Sequence, residues 1–358
     1  MKLLKKRGYT FNTLIGRGGV LTDSFKEVSE KCELYKQSGK RKILTRIRNK
    51  VLPNKARFNI NPLLKNVDCV LSNTITNGDL LQLVKENFEV PVISYVHELE
   101  TVTRECTTPE SLKKAIEFTD HFIVPSNVMK EYLCESLDVS EQKISTLNYF
   151  IPEFNALSQE DIKHFKMGNS IKASFVVGAS GKVQWRKGTD IFIMVASVLF
   201  KKMPYADVQF VWFGGKKSLN ENQRMLYDIK RLGLEEKILV IDSSLDATMF
   251  FKSIDLFLLT SREDPYPLVV LEAATEKIPT ICFDKNGGAP QFIGNDAGTI
   301  VNYLDSMAMA DSVCNYYCNR QLLKTHGNAA QQKVKYLHQN EGLVFEQFSQ
   351  VLKTVSKQ

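Results

Sequence analysis

The residues that could do chemistry concentrate in two short segments of the second half. In Ser261-Arg-Glu-Asp-Pro-Tyr-Pro-Leu-Val-Val-Leu-Glu-Ala273, Asp264 is followed eight positions later by Glu272, and Pro267 stands where a helix is predicted to open. At about 100° per residue, that offset returns to nearly the same helix face. A proline just inside a helix start loses no hydrogen bond there. The free N–H groups of the first turn, with the positive end of the helix dipole, suit an anion or a sugar hydroxyl. Taken singly, Asp264 reads equally as a helix-start charge and Glu272 as a solvated face residue. In Val177-Gly-Ala-Ser-Gly-Lys-Val-Gln-Trp-Arg-Lys-Gly-Thr-Asp190, a predicted strand ends in the small residues Gly178 and Ser180, and Lys182, Arg186 and Lys187 precede a helix. Small residues let a ligand approach the backbone, and the cations can neutralise a pyrophosphate. Lysine serves as a compact charge and arginine as a fork of donors. Alone, this segment also fits a surface loop with three solvated cations.

The elements that must position these residues alternate along the chain. Strands are predicted at Tyr9–Ile15, Asp68–Leu71, Pro91–Val96, His121–Val124, Lys143–Leu147, Ala173–Gly178, Val208–Gly214, Ile238–Ile241, Asp255–Leu259 and Pro279–Phe283. Helices are predicted at Asp79–Asn87, Pro109–Phe118, Val128–Leu137, Gly188–Lys202, Asn222–Leu232, Ala247–Lys252, Leu268–Glu276 and Ser306–Asn319. Short apolar strands separated by amphipathic helices are what a buried parallel sheet requires. Two such units joined near Phe150–Gly168 give two doubly wound α/β domains. Met1–Gly8 reads as the end of a helix, so the first half lacks the strand and glycine turn that normally open such a domain. Gly16-Arg-Gly-Gly19 lacks the third glycine and the helix signal of a phosphate fingerprint and reads as an ordinary turn.

Composition limits the function classes. The chain has 358 residues, 43% of them hydrophobic, with no apolar run of the roughly 20 residues that span a bilayer and no signal-peptide core. Seven scattered cysteines fit free thiols in a reducing compartment, so a cytoplasmic location is expected. The net charge of +7 is local: Leu34–Val67 holds ten basic and no acidic residues, which leaves −3 (7 − 10) for the rest. Within it, Ile43, Leu44, Ile47, Val51 and Leu52 recur at helical spacing beside Arg46, Arg48 and Lys50. Such a basic amphipathic helix, spanning the charges of residues 36–57, could dock peripherally on an anionic membrane surface or pack its stripe on the domain core with solvated charges outside. Nucleic acid is not expected, because no recognition module accompanies the charge and aromatics there are few.

Considered together, the two segments resemble the donor-binding half of retaining family-4 (group 1) glycosyltransferases of the GT-B fold, of the bacterial surface-polysaccharide type. Asp264 and Glu272 keep the spacing of that family's paired glutamates, with Asp for the first, and Lys182 with Lys187-Gly188 matches its basic pair. Glu263 is the alternative working carboxylate; Asp264 keeps the offset. Phe210-Val-Trp-Phe-Gly-Gly215, Ser253–Leu258 and Gly287-Gly-Ala-Pro-Gln291 also resemble family segments, although Glu is commoner at the last position. In the first half, Ser72-Asn-Thr74, His97-Glu-Leu-Glu100 and Ile123-Val-Pro-Ser126 resemble acceptor-side strand ends. The resemblance covers residues 1–355 except for an opening strand. It implies two Rossmann-like domains facing a cleft: 1–155 on the acceptor side, 156–340 binding the donor, and a C-terminal helix in 341–358 that crosses back.

The implied function is retaining transfer of a sugar, a hexose by preference, from a nucleotide-diphosphate-sugar to a glycan or lipid-linked hydroxyl. Glu272 would hold the ribose. Asp264 would hold the sugar, helped by the stretch Tyr266-Pro267-Leu268 and the backbone N–H groups within it. Lys182, Arg186 and Lys187 would hold the diphosphate beside Gly178, Ser180 and Gly214. Catalysis would be electrostatic, with Lys187, Asp264 and His97 at the reacting centre, no metal and no cofactor. A structural hydrogen bond is the other reading of His97. The competing functions are a catalytically impaired nucleotide-sugar-binding partner subunit and a phosphorylase carrying pyridoxal phosphate.

Overall fold

The computed structural model describes residues 1–16, 18–19, 21–35, 60–215, 220–242 and 246–355. The expected amphipathic helix and the basic residues 36–57 therefore lie outside the described residues. Among the described residues, twelve strands run in chain order: β1 (Asn12–Ile15), β2 (Lys31–Leu34), β3 (Val70–Ser72), β4 (Val92–Tyr95), β5 (His121–Val124), β6 (Ile144–Thr146), β7 (Phe175–Ser180), β8 (Val208–Gly215), β9 (Ile238–Asp242), β10 (Leu256–Leu259), β11 (Thr280–Phe283) and β12 (Gly298–Val301).

The second half is one parallel sheet in the order β12-β11-β10-β7-β8-β9. Alternate residues feed two cores. Phe175, Val177, Phe210, Trp212, Leu256 and Leu258 face helices Thr189–Lys202 and Ser306–Cys318, while Val176, Val211, Phe213, Phe257 and Leu259 face helix Leu268–Thr275. Burial on both faces explains why these strands read as continuous apolar runs. Strand order reverses between β7 and β10, and the loops leaving those two strands carry both chemistry-bearing segments. Such a switch point opens a crevice beyond the strand ends.

The first half is built differently. Strands β3-β4-β5-β6 form a parallel sheet, and β1 pairs only with β2 in a separate parallel ribbon. Helix Glu341–Val355 packs Val344, Val351 and Val355 on Ile93, Ile123 and Leu147, so the end of the chain lies on the first-half sheet. The fold is α/β, with two Rossmann-like domains in the GT-B arrangement.

Several sequence-based expectations need correction. Strands β2 and β12 and helices Thr22–Val28, Glu100–Cys106, Gln159–Gly168 and Arg320–His338 have no counterpart among the predicted elements. The mostly exposed β2 lacks the apolar run used as the strand signal. Gly16–Gly19 does lead to a helix, Thr22–Val28, whose start is marked by Thr22 Oγ1 accepting the Gly19 N–H. Pro267 takes the cap position rather than the first helical position, and Leu268 opens the helix. The helix predicted over Val128–Leu137 changes at Tyr132 into a wider π turn ending at Ser136.

Candidate functional site

Backbone geometry brings the two segments together. Gly188 caps helix Thr189–Lys202 in a left-handed conformation (φ 67°), and a Cβ there would lie 2.0 Å from the Thr260 carbonyl oxygen. Glycine thus lets the loop after β7 touch the end of β10. The Thr260 hydroxyl donates to the Lys187 carbonyl at 3.0 Å, and the Arg262 N–H donates to the Arg186 carbonyl at 2.8 Å. Arg262 forks onto Asp190 at 2.9 and 2.7 Å and lies over the Trp185 ring. Helix dipole, side chains and backbone therefore hold one continuous anion-friendly rim.

Asp264 is buried at 7% exposure and ion-paired with Lys187. Its N–H donates to the Asn286 carbonyl at 2.6 Å, and its carbonyl accepts the Gly288 N–H at 3.2 Å. Glu272 is half-buried, and desolvation raises its pKa above the usual carboxylate range. No protein donor faces it among the described residues, so a polyhydroxyl ligand could satisfy it. Lys182 is exposed at the rim.

Other expected site residues serve the frame. The Arg186 guanidinium donates to the Glu263 carbonyl at 2.7 Å, which ties one segment to the other. A side chain at Gly178 would strike Ile254 and Phe250, so its smallness serves packing. Gly214 (φ 122°) lets its backbone meet Gly181. Ser180 is part-buried at the end of β7, and the Tyr266 hydroxyl pairs with His338 Nε2 at 3.1 Å. Pro267 has no N–H to offer a ligand, so the donors at this helix start begin at Leu268.

Across the cleft, His97 leaves the end of β4. Its Nδ1 lies 2.7 Å from the Tyr149 hydroxyl and its Nε2 3.0 Å from Asn73 Oδ1. Burial lowers its pKa to about 4, so it is neutral at pH 7. Glu98 fixes the loop by accepting from the His97 N–H at 3.0 Å and the Thr74 hydroxyl at 2.5 Å.

The domains also touch directly. Glu263 Oε2 accepts from the Thr101 N–H (3.1 Å) and hydroxyl (2.8 Å), and the Ser126 hydroxyl donates to the Pro265 carbonyl at 3.0 Å. Glu263 is thus committed to the opposite domain, whereas Asp264 meets the lysine. Beside them is a cavity of about 370 Å³, lined from both domains by Glu100, Tyr132, Glu263 and Tyr303. Tyr149 and Thr101 were invisible to sequence reasoning, because neither stands in a recognisable spacing. Asn73 had only the Ser72-Asn-Thr74 segment to mark it.

The chain resembles known proteins in sequence and in fold. Residues 174–319 match the family described as glycosyl transferases group 1. The lipopolysaccharide core biosynthesis mannosyltransferase LpcC of Rhizobium leguminosarum bv. viciae is 22% identical over 163 residues, 45% of this chain and 46% of that protein. The UDP-Gal:alpha-D-GlcNAc-diphosphoundecaprenol alpha-1,3-galactosyltransferase of Escherichia coli is 26% identical, over 62% of this chain and 58% of its own. This chain thus spans less than two thirds of either relative. The crystal structure of Anabaena Alr3699/HepE in complex with UDP and glucose superposes with a TM-score of 0.74 at 17% identity, over 96% of this chain and 92% of that one.

Proposed function

We propose that the protein transfers a sugar, with retention of configuration, from a nucleotide-diphosphate-sugar to a hydroxyl of a glycan or lipid-linked acceptor, without a metal ion. The observation that carries this reading is the pairing of Lys187 with Asp264 at the switch point of a group 1 glycosyl transferase domain. It sets a cation for the diphosphate beside a carboxylate for the sugar. Lys187 and Lys182 would offset the charge that develops as the glycosidic bond breaks, so the departing diphosphate is stabilised electrostatically. Glu272 would accept hydrogen bonds from the ribose, which supplies the donors its desolvated carboxylate lacks. Asp264 and the Leu268 N–H would hold the sugar, with neutral His97 facing it from the other domain.

The similarity to a diphosphoundecaprenol-dependent galactosyltransferase supports a lipid-linked acceptor. An acceptor at the inner membrane face would give the basic residues 36–57 an anionic surface to meet. No described helix is long and apolar enough to cross a membrane.

The test is a thermal-shift screen of UDP- and GDP-sugars, followed by turnover of the best binder with and without chelator. A ligand that binds only the folded state raises its melting temperature by mass action. The reading predicts one stabilising nucleotide sugar whose turnover is indifferent to chelator. Loss of activity with chelator would overturn the metal-free mechanism. Binding without turnover on any acceptor would favour a partner subunit that has kept only the donor site.

A further inference from the structure

His97 is held from two sides by different loops. The Asn73 carboxamide oxygen, 3.0 Å from Nε2, can only accept, so Nε2 carries the proton. A neutral imidazole has one N–H, which leaves Nδ1 as an acceptor for the Tyr149 hydroxyl at 2.7 Å. Burial pushes the Tyr149 phenol above its ordinary value, so it remains an O–H donor. The same logic runs one step further. His338 Nδ1 donates to the Tyr149 carbonyl at 2.8 Å, and its Nε2 accepts from the Tyr266 hydroxyl at 3.1 Å.

The rings are arranged in register with these bonds. Tyr149 stacks on His97 with centroids 5.7 Å apart and meets the Tyr266 edge at 5.8 Å. Tyr266 lies two residues beyond Asp264 in the loop that leads into the donor-site helix. Tyr149 therefore contacts both the first-half histidine and the second-half loop, and it lies in the segment that passes between the domains.

We propose that Tyr149 is a positioning residue for sugar transfer: its hydroxyl, donating to Nδ1, holds the His97 ring in place beside the Asn73 acceptor that fixes the Nε2–H tautomer, and its ring sets the distance between His97 and the Asp264 loop. This rests on the reading that His97 faces the transferred sugar. A histidine that turned, or exchanged tautomers, would set a lone pair against the Asn73 oxygen that now receives its N–H, and so lose its place at the cleft. Orientation errors of this kind cost rate more than binding.

Tyr149→Phe tests the proposal, because it keeps both ring contacts and removes only the hydroxyl. Long-range ¹H–¹⁵N spectra of the full chain should show His97 as Nε2–H in the wild type, with its Nδ1 signal moved in the variant as the Tyr149 hydrogen bond is lost. The groups facing His97 are Tyr95, Tyr149, Asn73 and Glu98. With UDP-glucose and GDP-mannose as probes, whichever the wild type turns over should lose about tenfold in kcat with KM nearly unchanged. Asn73→Asp keeps an acceptor on Nε2 and should preserve the wild-type tautomer. Nδ1–H in the wild type, an unmoved Nδ1 signal in Tyr149→Phe, or loss of that hydrogen bond without loss of kcat would each overturn the proposal. Should the wild type turn over no nucleotide sugar, the spectra still decide the tautomer, so the two failures are told apart.

Discussion

The second half holds its site residues on two loops that leave neighbouring strands, whereas the first half supplies Asn73, His97, Thr101 and Tyr149 from three separate segments. In the second half, one sheet buried on both faces fixes β7 beside β10, and chain spacing alone sets what lies at their ends. In the first half, a four-strand sheet and a two-strand ribbon present isolated side chains that gain meaning only across the cleft. The lesson is that ligand affinity can sit on a local, contiguous device while alignment of the reaction depends on dispersed contacts. Donor-site substitutions should then act through binding, and first-half substitutions through rate.

The largest expected effect is at Glu272. Glu272→Ala should weaken nucleotide-sugar binding by two orders of magnitude or more, roughly the cost of losing two hydrogen bonds from a charged group. The fold should survive, since no described protein group depends on that carboxylate. Calorimetric titration with the nucleotide sugar checks it; near-normal affinity would sink the assignment of the second half as donor half.

Next in size is the Lys187–Asp264 pair, whose side chains are 16% and 9% exposed. Removing one partner strands the other, and such losses run to about 3 kcal/mol. Asp264→Asn should therefore lower urea stability and turnover together. The double variant Lys187→Met, Asp264→Leu should recover stability but not activity. Full additivity of the two single effects would show that the pair is not coupled in the folded state.

How much of this was legible in the sequence follows the same division. Strands β5, β7, β8 and β10 could be placed within about two residues, because a two-sided burial pattern leaves unbroken apolar runs. Asp264, Glu272, Lys182 and Lys187 could be picked out because a strand–loop–helix unit keeps its spacing in the chain. Arg186 and Gly178 were read as ligand contacts, but their residue types fit equally well the framework tasks they perform, bonding the Glu263 carbonyl and admitting Phe250. Tyr149 had no signature at all: its partners are 52 and 117 positions away (149 − 97 and 266 − 149), a relation only tertiary packing creates.

The smallest effect, in pH, separates the buried histidines from Glu272 by sign. His97 in the first half and His338 beside the crossing segment are both lowered by burial to about 4, against an ordinary 6.5. Between those values the unfolded chain binds more protons than the folded one, so their contribution to stability is complete above about pH 6.5 and is lost as pH falls toward 4. Glu272 is raised by desolvation. Its contribution is present below the ordinary carboxylate value and is lost as pH rises through the raised one. Denaturation curves from pH 4 to 8 should thus respond oppositely to two isosteric changes. His97→Gln should flatten the acid-side slope, which for one titrating group is at most about 1.4 kcal/mol per pH unit. Glu272→Gln should add stability at pH 7 that disappears near pH 4, which is what a carboxylate held in readiness for a ligand, rather than for the fold, requires. A Glu272→Gln variant less stable than wild type at pH 7 would mean that the carboxylate serves the fold after all.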